Sequence, residues 1–148
     1  MNTPCEFKVM RVRECVAPAD LVDTPERAFE YWMANIPSAS WYDPMKEAFV
    51  VFVLNTRRRI IGHNLVALGN LDSVGVSPLS VFRPIIVSAG SAAILAHNHP
   101  SGDSTPSSAD IKVTRDLIRA SQLLKIEILD HIVVGRSFTS LRALGFFY

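Results

Sequence analysis

With 148 residues, of which 49% are hydrophobic and 20% charged, the chain has apolar material for one packed core and too little charge for disorder, which excludes a multidomain machine. Lys plus Arg number 15 against 14 Asp plus Glu, and the net charge of +1 supplies no whole-molecule field toward nucleic acid or an anionic membrane. Mean hydropathy is +0.22, yet the longest apolar run, Ala48 to Leu54, is seven residues against the ~20 that span a bilayer, so no transmembrane helix and no membrane partner are expected.

The first residues, MNTPCEFKVMRVREC, show no charged head, apolar run and small-residue cleavage site in succession, and a cytoplasmic location is expected. Cys5 and Cys15 form neither a dense disulfide framework nor a CxxC metal pattern and read as reduced thiols. Residues 6–13 alternate, Phe7 and Val9 on one side and Met10 and Val12 on the other, which predicts a first strand. Asp23-Thr24-Pro25-Glu26 opens a helix that Pro37 closes, with Ala28, Phe29, Trp32, Met33 and Ile36 as its apolar stripe. The loop from Pro37 to Pro44 carries Trp41 and Tyr42. From Glu47 to Leu54 the run EAFVVFVL is apolar on both parities, as in a central strand buried on both faces. A polar break at 55–59, whose Arg57-Arg58-Arg59 reads as a solvated tip, joins it to a strand at 60–68 in a hairpin.

Ser77-Pro78 starts a helix to Ser88, which Pro84 should bend or shorten. Residues 92–98 read as a short buried strand and 100–106 as a turn-rich loop. Ser107 begins a helix to about Leu124, with Val113, Leu117, Ala120 and Leu124 facing inward. Residues 126–134 form the last strand, followed by a short strand or coil. Helices alternating with central strands argue a single α/β domain with a mixed sheet, residues 1–45 being a strand–helix extension and 46–148 the core.

Two histidines at i and i+2, His97 and His99, project from one face of a strand end, so both imidazoles reach one point in space. Asp110 sits in the first turn of the next helix, near its inward stripe, where an ionised carboxylate is costly unless something positive or hydrogen-bonding meets it. Zinc(II) meets both needs, because two neutral imidazoles and one carboxylate leave a fourth tetrahedral position for water, as in catalytic sites. Such a site needs a general base, and Glu47 at the start of the central strand is the candidate, with Asp43 and Glu30 as substitutes.

The string H-N-H-P-S-G-D-x-x-P-S-x-x-D from His97 to Asp110, followed by Asp130-His131 and Ser140-Leu141, resembles the bacterial RadC-like proteins of the JAB/MPN superfamily. Their underlying JAMM motif is an upstream Glu, then H-x-H, seven residues, Ser, two residues and Asp. Glu47, His97, His99, Ser107 and Asp110 match it, and the similarity covers about residues 45 to 142. The resemblance implies the JAB/MPN fold, a curved mixed β-sheet flanked by helices and related to the cytidine deaminase fold. It implies that His97, His99 and Asp110 ligate Zn2+, that Glu47 activates a water and that Ser107 steadies the tetrahedral intermediate or hydrogen-bonds the water. Characterised JAMM members are metalloproteases, often isopeptidases that remove ubiquitin-like proteins, so a zinc-dependent hydrolase of peptide or isopeptide bonds with a protein substrate is expected. RadC-like members are named for DNA repair, and larger ones carry an N-terminal helix-hairpin-helix region that is not legible before Glu47. A DNA-associated factor using the Arg57–Arg59 tip is the second reading, and a non-catalytic MPN docking module the third.

Plainer readings accompany these. Ser107-x-x-Asp110 is also a capping-box pattern, and two histidines in a buried strand can be hydrogen-bonded core residues. His131 divides between support of the site and a satisfied core histidine, His63 has no assigned role, and Ser101 and Gly102 shape the turn. A zinc deaminase would need H-x-E and P-C-x-x-C, yet no cysteine follows Cys15. No helical i, i+4 histidine pair exists for an H-E-x-x-H protease, and the letters H-N-H match the nuclease motif of that name only in spelling. The helix at 24–36 and the Trp41-Tyr42 loop are the candidate dimer face.

Overall fold

In a computed structural model, which describes residues 3–17, 21–69 and 75–147, eight elements follow one another. They are α1 (Pro25–Asn35), β1 (Ala48–Leu54), β2 (Ile60–Leu68), α2 (Pro78–Val87), β3 (Ala92–Asn98), α3 (Ser108–Leu124), β4 (Glu127–Val134) and β5 (Phe138–Ser140). The strands form a mixed sheet in the order β2-β1-β3-β4-β5, parallel between β3 and β4 and antiparallel elsewhere. β1 is buried at every position, as its two-sided apolar run requires.

Parity separates the layers. Val50, Phe52 and Leu54 of β1 and Ala92, Ile94 and Ala96 of β3 pack with Trp32 of α1. Phe49, Val51 and Val53 of β1 and Ala93 and Leu95 of β3 pack on the opposite face with Phe82 and Ile85 of α2 and Leu117 of α3. The odd face therefore looks toward α3, and the site is built there.

One expectation fails and another holds only in part, each for an identifiable reason. Residues 6–13 form no strand, and Phe7 and Val12 are 94% and 98% exposed. Alternation creates two faces, but a strand also needs a hydrogen-bonded neighbour, and among the described residues the ladder ends at β2. The segment is tied instead to Asn35, which accepts from Val16 N at 2.8 Å, donates to Val16 O at 3.0 Å and offers its carbonyl to Arg13. In α1 the predicted stripe holds at Ala28, Phe29, Trp32 and Ile36, which join the core, and fails at Met33, which is exposed, while Tyr31 and Asn35 are also buried. Tyr31 and Asn35 tolerate burial because their polar tips are satisfied, the tyrosine hydroxyl lying 2.8 Å from His63 Nδ1. Trp41 and Tyr42 pack half-buried on this same core.

Pro84 lies inside α2 without cutting it short, and the helix ends at Val87. At the hairpin tip Asn55 Oδ1 accepts from Arg57 N and Arg59 N, and Arg58, in the left-handed region, pairs with Glu127 at 2.9 Å. No helix among the described residues is long and apolar enough to cross a membrane.

Asp130 fastens the end of the sheet. Its carboxylate accepts from His131 N, Ser140 Oγ and Arg142 N, at 2.7, 2.6 and 3.2 Å. Burial pushes this carboxyl up, against the pull of those donors. Ser140→Ala removes the shortest bond and is expected to cost about 1.5–3 kcal/mol, the range for a hydrogen bond to a charged group, measurable by urea denaturation.

Candidate metal centre

Odd parity carries His97, and two residues later His99, toward α3. The His97 ring is 1% exposed and stacks on Phe49, its register partner across β1, with centroids 5.9 Å apart and planes 11° from parallel. From α3, Asp110 reaches back so that Oδ1 lies 3.2 Å from His97 Nε2 and Oδ2 lies 3.2 Å from His99 Nε2. The two Nε2 atoms are 3.1 Å apart, and one ligand atom from each residue falls within 4.8 Å of the others.

The capping-box reading and the ligand reading hold together. Ser107 Oγ accepts from Asp110 N at 3.1 Å, and Asp110 Oδ2 accepts from Ser107 N at 2.8 Å. The box aims the carboxylate at the histidines. Burial pushes the Asp110 carboxyl up, but His97 and the Ser107 donors outweigh it and hold the group below the usual carboxylate range.

His99 Nδ1 is 2.8 Å from the Asp103 carbonyl, which can only accept, so the ring donates there and Nε2 is the nitrogen left to offer a metal its lone pair. His97 Nδ1 lies 2.7 Å from Nε2 of the fully buried His131, so this histidine supports the ligand cluster from behind. Imidazole nitrogens and carboxylate oxygens crowding one point repel unless a cation or proton lies between them. Two imidazoles and a carboxylate are a donor set that a first-row divalent ion fits.

Glu47 reaches the same place by register. Phe49 pairs antiparallel with His97, and continuing that count sets Glu47 opposite His99. Asn98 anchors it, because its side chain accepts from Ala48 N at 2.8 Å and donates to Lys46 O at 3.1 Å, gripping the chain on both sides of Glu47. Glu47, His99, Pro100, Ser101, Ser107, Ala109 and Asp110 line one surface cleft of about 390 Å³. Asp43 instead caps its own turn at Met45 N, Glu30 is exposed on α1, and neither lines this cleft. His63 serves Tyr31.

The loop between the histidines and α3 is stapled to the β4–β5 turn. His99 N donates to Val134 O and Arg136 N to Gly102 O, at 2.8 and 2.9 Å. Gly135 permits this approach, since a Cβ there would stand 2.3 Å from the Gly102 carbonyl oxygen. Asn98, Asp103 and Gly135 are the supporting residues that sequence reasoning missed. A polar Asn inside an otherwise apolar buried strand was the one signal in reach, because a buried amide demands partners.

A model of the RadC-like JAB domain matches residues 22–146. Similar curated proteins include a UPF0758 protein of Carboxydothermus hydrogenoformans, 44% identical over 99 residues, covering 66% of this chain and 44% of that one. A UPF0758 protein of Desulforudis audaxviator is 40% identical over 127 residues, 85% of this chain and 53% of the relative. Another, from Shouchella clausii, is 38% identical over 141 residues, 95% of this chain and 58% of the relative. The chain spans about half the length of these curated relatives. With the His-His-Asp cluster, the mixed sheet and the domain match in agreement, the chain belongs to the RadC-like JAB domain family.

Proposed function

We propose that the chain is a zinc-dependent hydrolase of JAMM type that cleaves peptide or isopeptide bonds. The observation that carries this reading is the convergence of His97, His99 and Asp110 beside a cleft that His99 and Asp110 line together with the carboxylate of Glu47 and the hydroxyl of Ser107. His97, His99 and Asp110 would hold the zinc, which would supply a Lewis acid and lower the pKa of a water. Glu47 takes the proton of the attacking water at its carboxylate and returns it to the leaving amine. Ser107 caps α3 with an oxygen lone pair, and its hydroxyl hydrogen is directed to the carbonyl oxygen as negative charge grows there.

The test is the metal content of purified protein by inductively coupled plasma mass spectrometry, followed by cleavage assays on fluorogenic peptides and isopeptide-linked conjugates. Expected are about one zinc per chain and cleavage that chelation removes and added zinc restores. Absence of bound metal after reconstitution overturns the hydrolase reading. Zinc-loaded protein that cleaves neither bond class overturns the substrate class.

A further inference from the structure

Polar groups run in single file from α3 to the metal donors. Thr114 Oγ1 lies 2.7 Å from the Asp110 carbonyl oxygen and 2.6 Å from His131 Nδ1, and His131 Nε2 lies 2.7 Å from His97 Nδ1. Thr114 and His131 are both 0% exposed, so these contacts are sealed from solvent.

The protons in the file are fixed from its two ends. A carbonyl only accepts, so the single hydroxyl hydrogen of Thr114 goes to Asp110, the usual back-bond of a helical threonine to the residue four earlier. Thr114 then has only lone pairs for His131, which must donate from Nδ1. From the other end, Nε2 of His97 is the atom facing Asp110 and His99, and a metal ion held there takes its lone pair and leaves the one N–H of the ring on Nδ1. His97 then donates from Nδ1 to His131 Nε2, which accepts, and the N–H of His131 is the one on Nδ1 that meets Thr114.

We infer that Thr114, which touches none of the ligating side-chain atoms, is a positioning residue whose hydroxyl sets His97, through His131, in the tautomer that binds metal through Nε2. The inference rests on the metal reading of the His97, His99 and Asp110 cluster. Without the hydroxyl, nothing holds a proton on His131 Nδ1. If that proton moves to Nε2, His97 must present a lone pair at Nδ1 and carry its own proton on the ligating atom.

Thr114→Val and Thr114→Ser separate chemistry from packing, because valine keeps the shape and loses the hydroxyl whereas serine keeps the hydroxyl and loses the methyl. Zinc affinity of the full chain, read by competition with a chromogenic chelator, should fall roughly 10–100-fold for Thr114→Val, the range for loss of an outer partner of a ligand. Thr114→Ser should stay near wild type. A packing role would reverse that order and overturn the inference. A second measurement needs no variant and no metal: long-range 1H–15N NMR of the metal-free wild type should show the ring proton of His131 on Nδ1, the atom that meets Thr114. A proton on Nε2 overturns the inference even if Thr114→Val does not fold. Failure of wild type to bind zinc would instead overturn the metal reading, while the NMR measurement still reports on the relay.

Discussion

Glu47→Gln is expected to leave zinc bound and to lower turnover on the order of 10²–10⁴-fold, the usual worth of a positioned general base. Glutamine has nearly the same shape, so the cleft wall it shares with Ser107 and Asp110 is preserved. Its backbone position is also preserved, because Asn98 grips the peptide groups at Lys46 and Ala48 rather than the side chain. What changes is that an amide cannot take a proton from water. The measurement pairs zinc stoichiometry with initial rates on whichever peptide or isopeptide the wild type cleaves. Full turnover by Glu47→Gln would remove the base from Glu47. Loss of zinc together with turnover would instead make Glu47 part of the metal environment, although it is not among the three residues that converge.

What the sequence revealed and what it hid divide along one physical line. Local periodicity made the central strand legible, since seven apolar residues in a row need cover on both faces, and β1 is buried throughout. Spacing made the donor set legible, since the i, i+2 histidines share a strand face and Ser107-x-x-Asp110 marks the helix start that brings the carboxylate back. The false strand at 6–13 shows the limit of the same logic. Its alternation is as good as that of many real strands, but pairing is a property of a neighbour, and a single segment carries no information about one. Of the supports of the site, His131 was legible only as one of two open readings, and Asn98 and Thr114 escaped, for a related reason. Asn98 meets Lys46 52 residues away in sequence, His131 meets His97 34 residues away, and Thr114 meets His131 17 residues away. None of these pairs has a spacing rule, because each is set by strand order and helix placement rather than by the period of one element.

That strand order also explains why one face of the sheet carries the chemistry. β3 sits between its antiparallel neighbour β1, which delivers Glu47, and its parallel neighbour β4, which delivers His131. The helix between β3 and β4 must cross over one sheet face, so its first turn starts beside the end of β3 and brings Asp110 to the histidines. The donors are thus held by backbone hydrogen bonds of the sheet and by the cap of α3, and the cleft needs no separate scaffold.

His97→Ala tests the centre most severely. It removes one of three protein donors, and if each carries about a third of the ~10–16 kcal/mol found for structural zinc, the expected loss is about 3–5 kcal/mol, or ~10²–10⁴-fold in affinity. The protein should therefore emerge from purification without zinc. The substitution also leaves His131 Nε2 without its donor and Phe49 without its stacked partner, a cost of about 1–3 kcal/mol for the unmet polar atom before any cavity is counted. Loss of metal could then reflect loss of fold, and two controls separate them. The far-UV circular dichroism and a cooperative melt of metal-free wild type and variant should agree in form. Ser140→Ala, destabilised by a comparable amount at Asp130 and touching none of the three metal donors, should keep its zinc. If His97→Ala holds about one zinc per chain with wild-type affinity, the metal is not bound where His97, His99 and Asp110 converge, and the hydrolase reading built on that convergence falls with it.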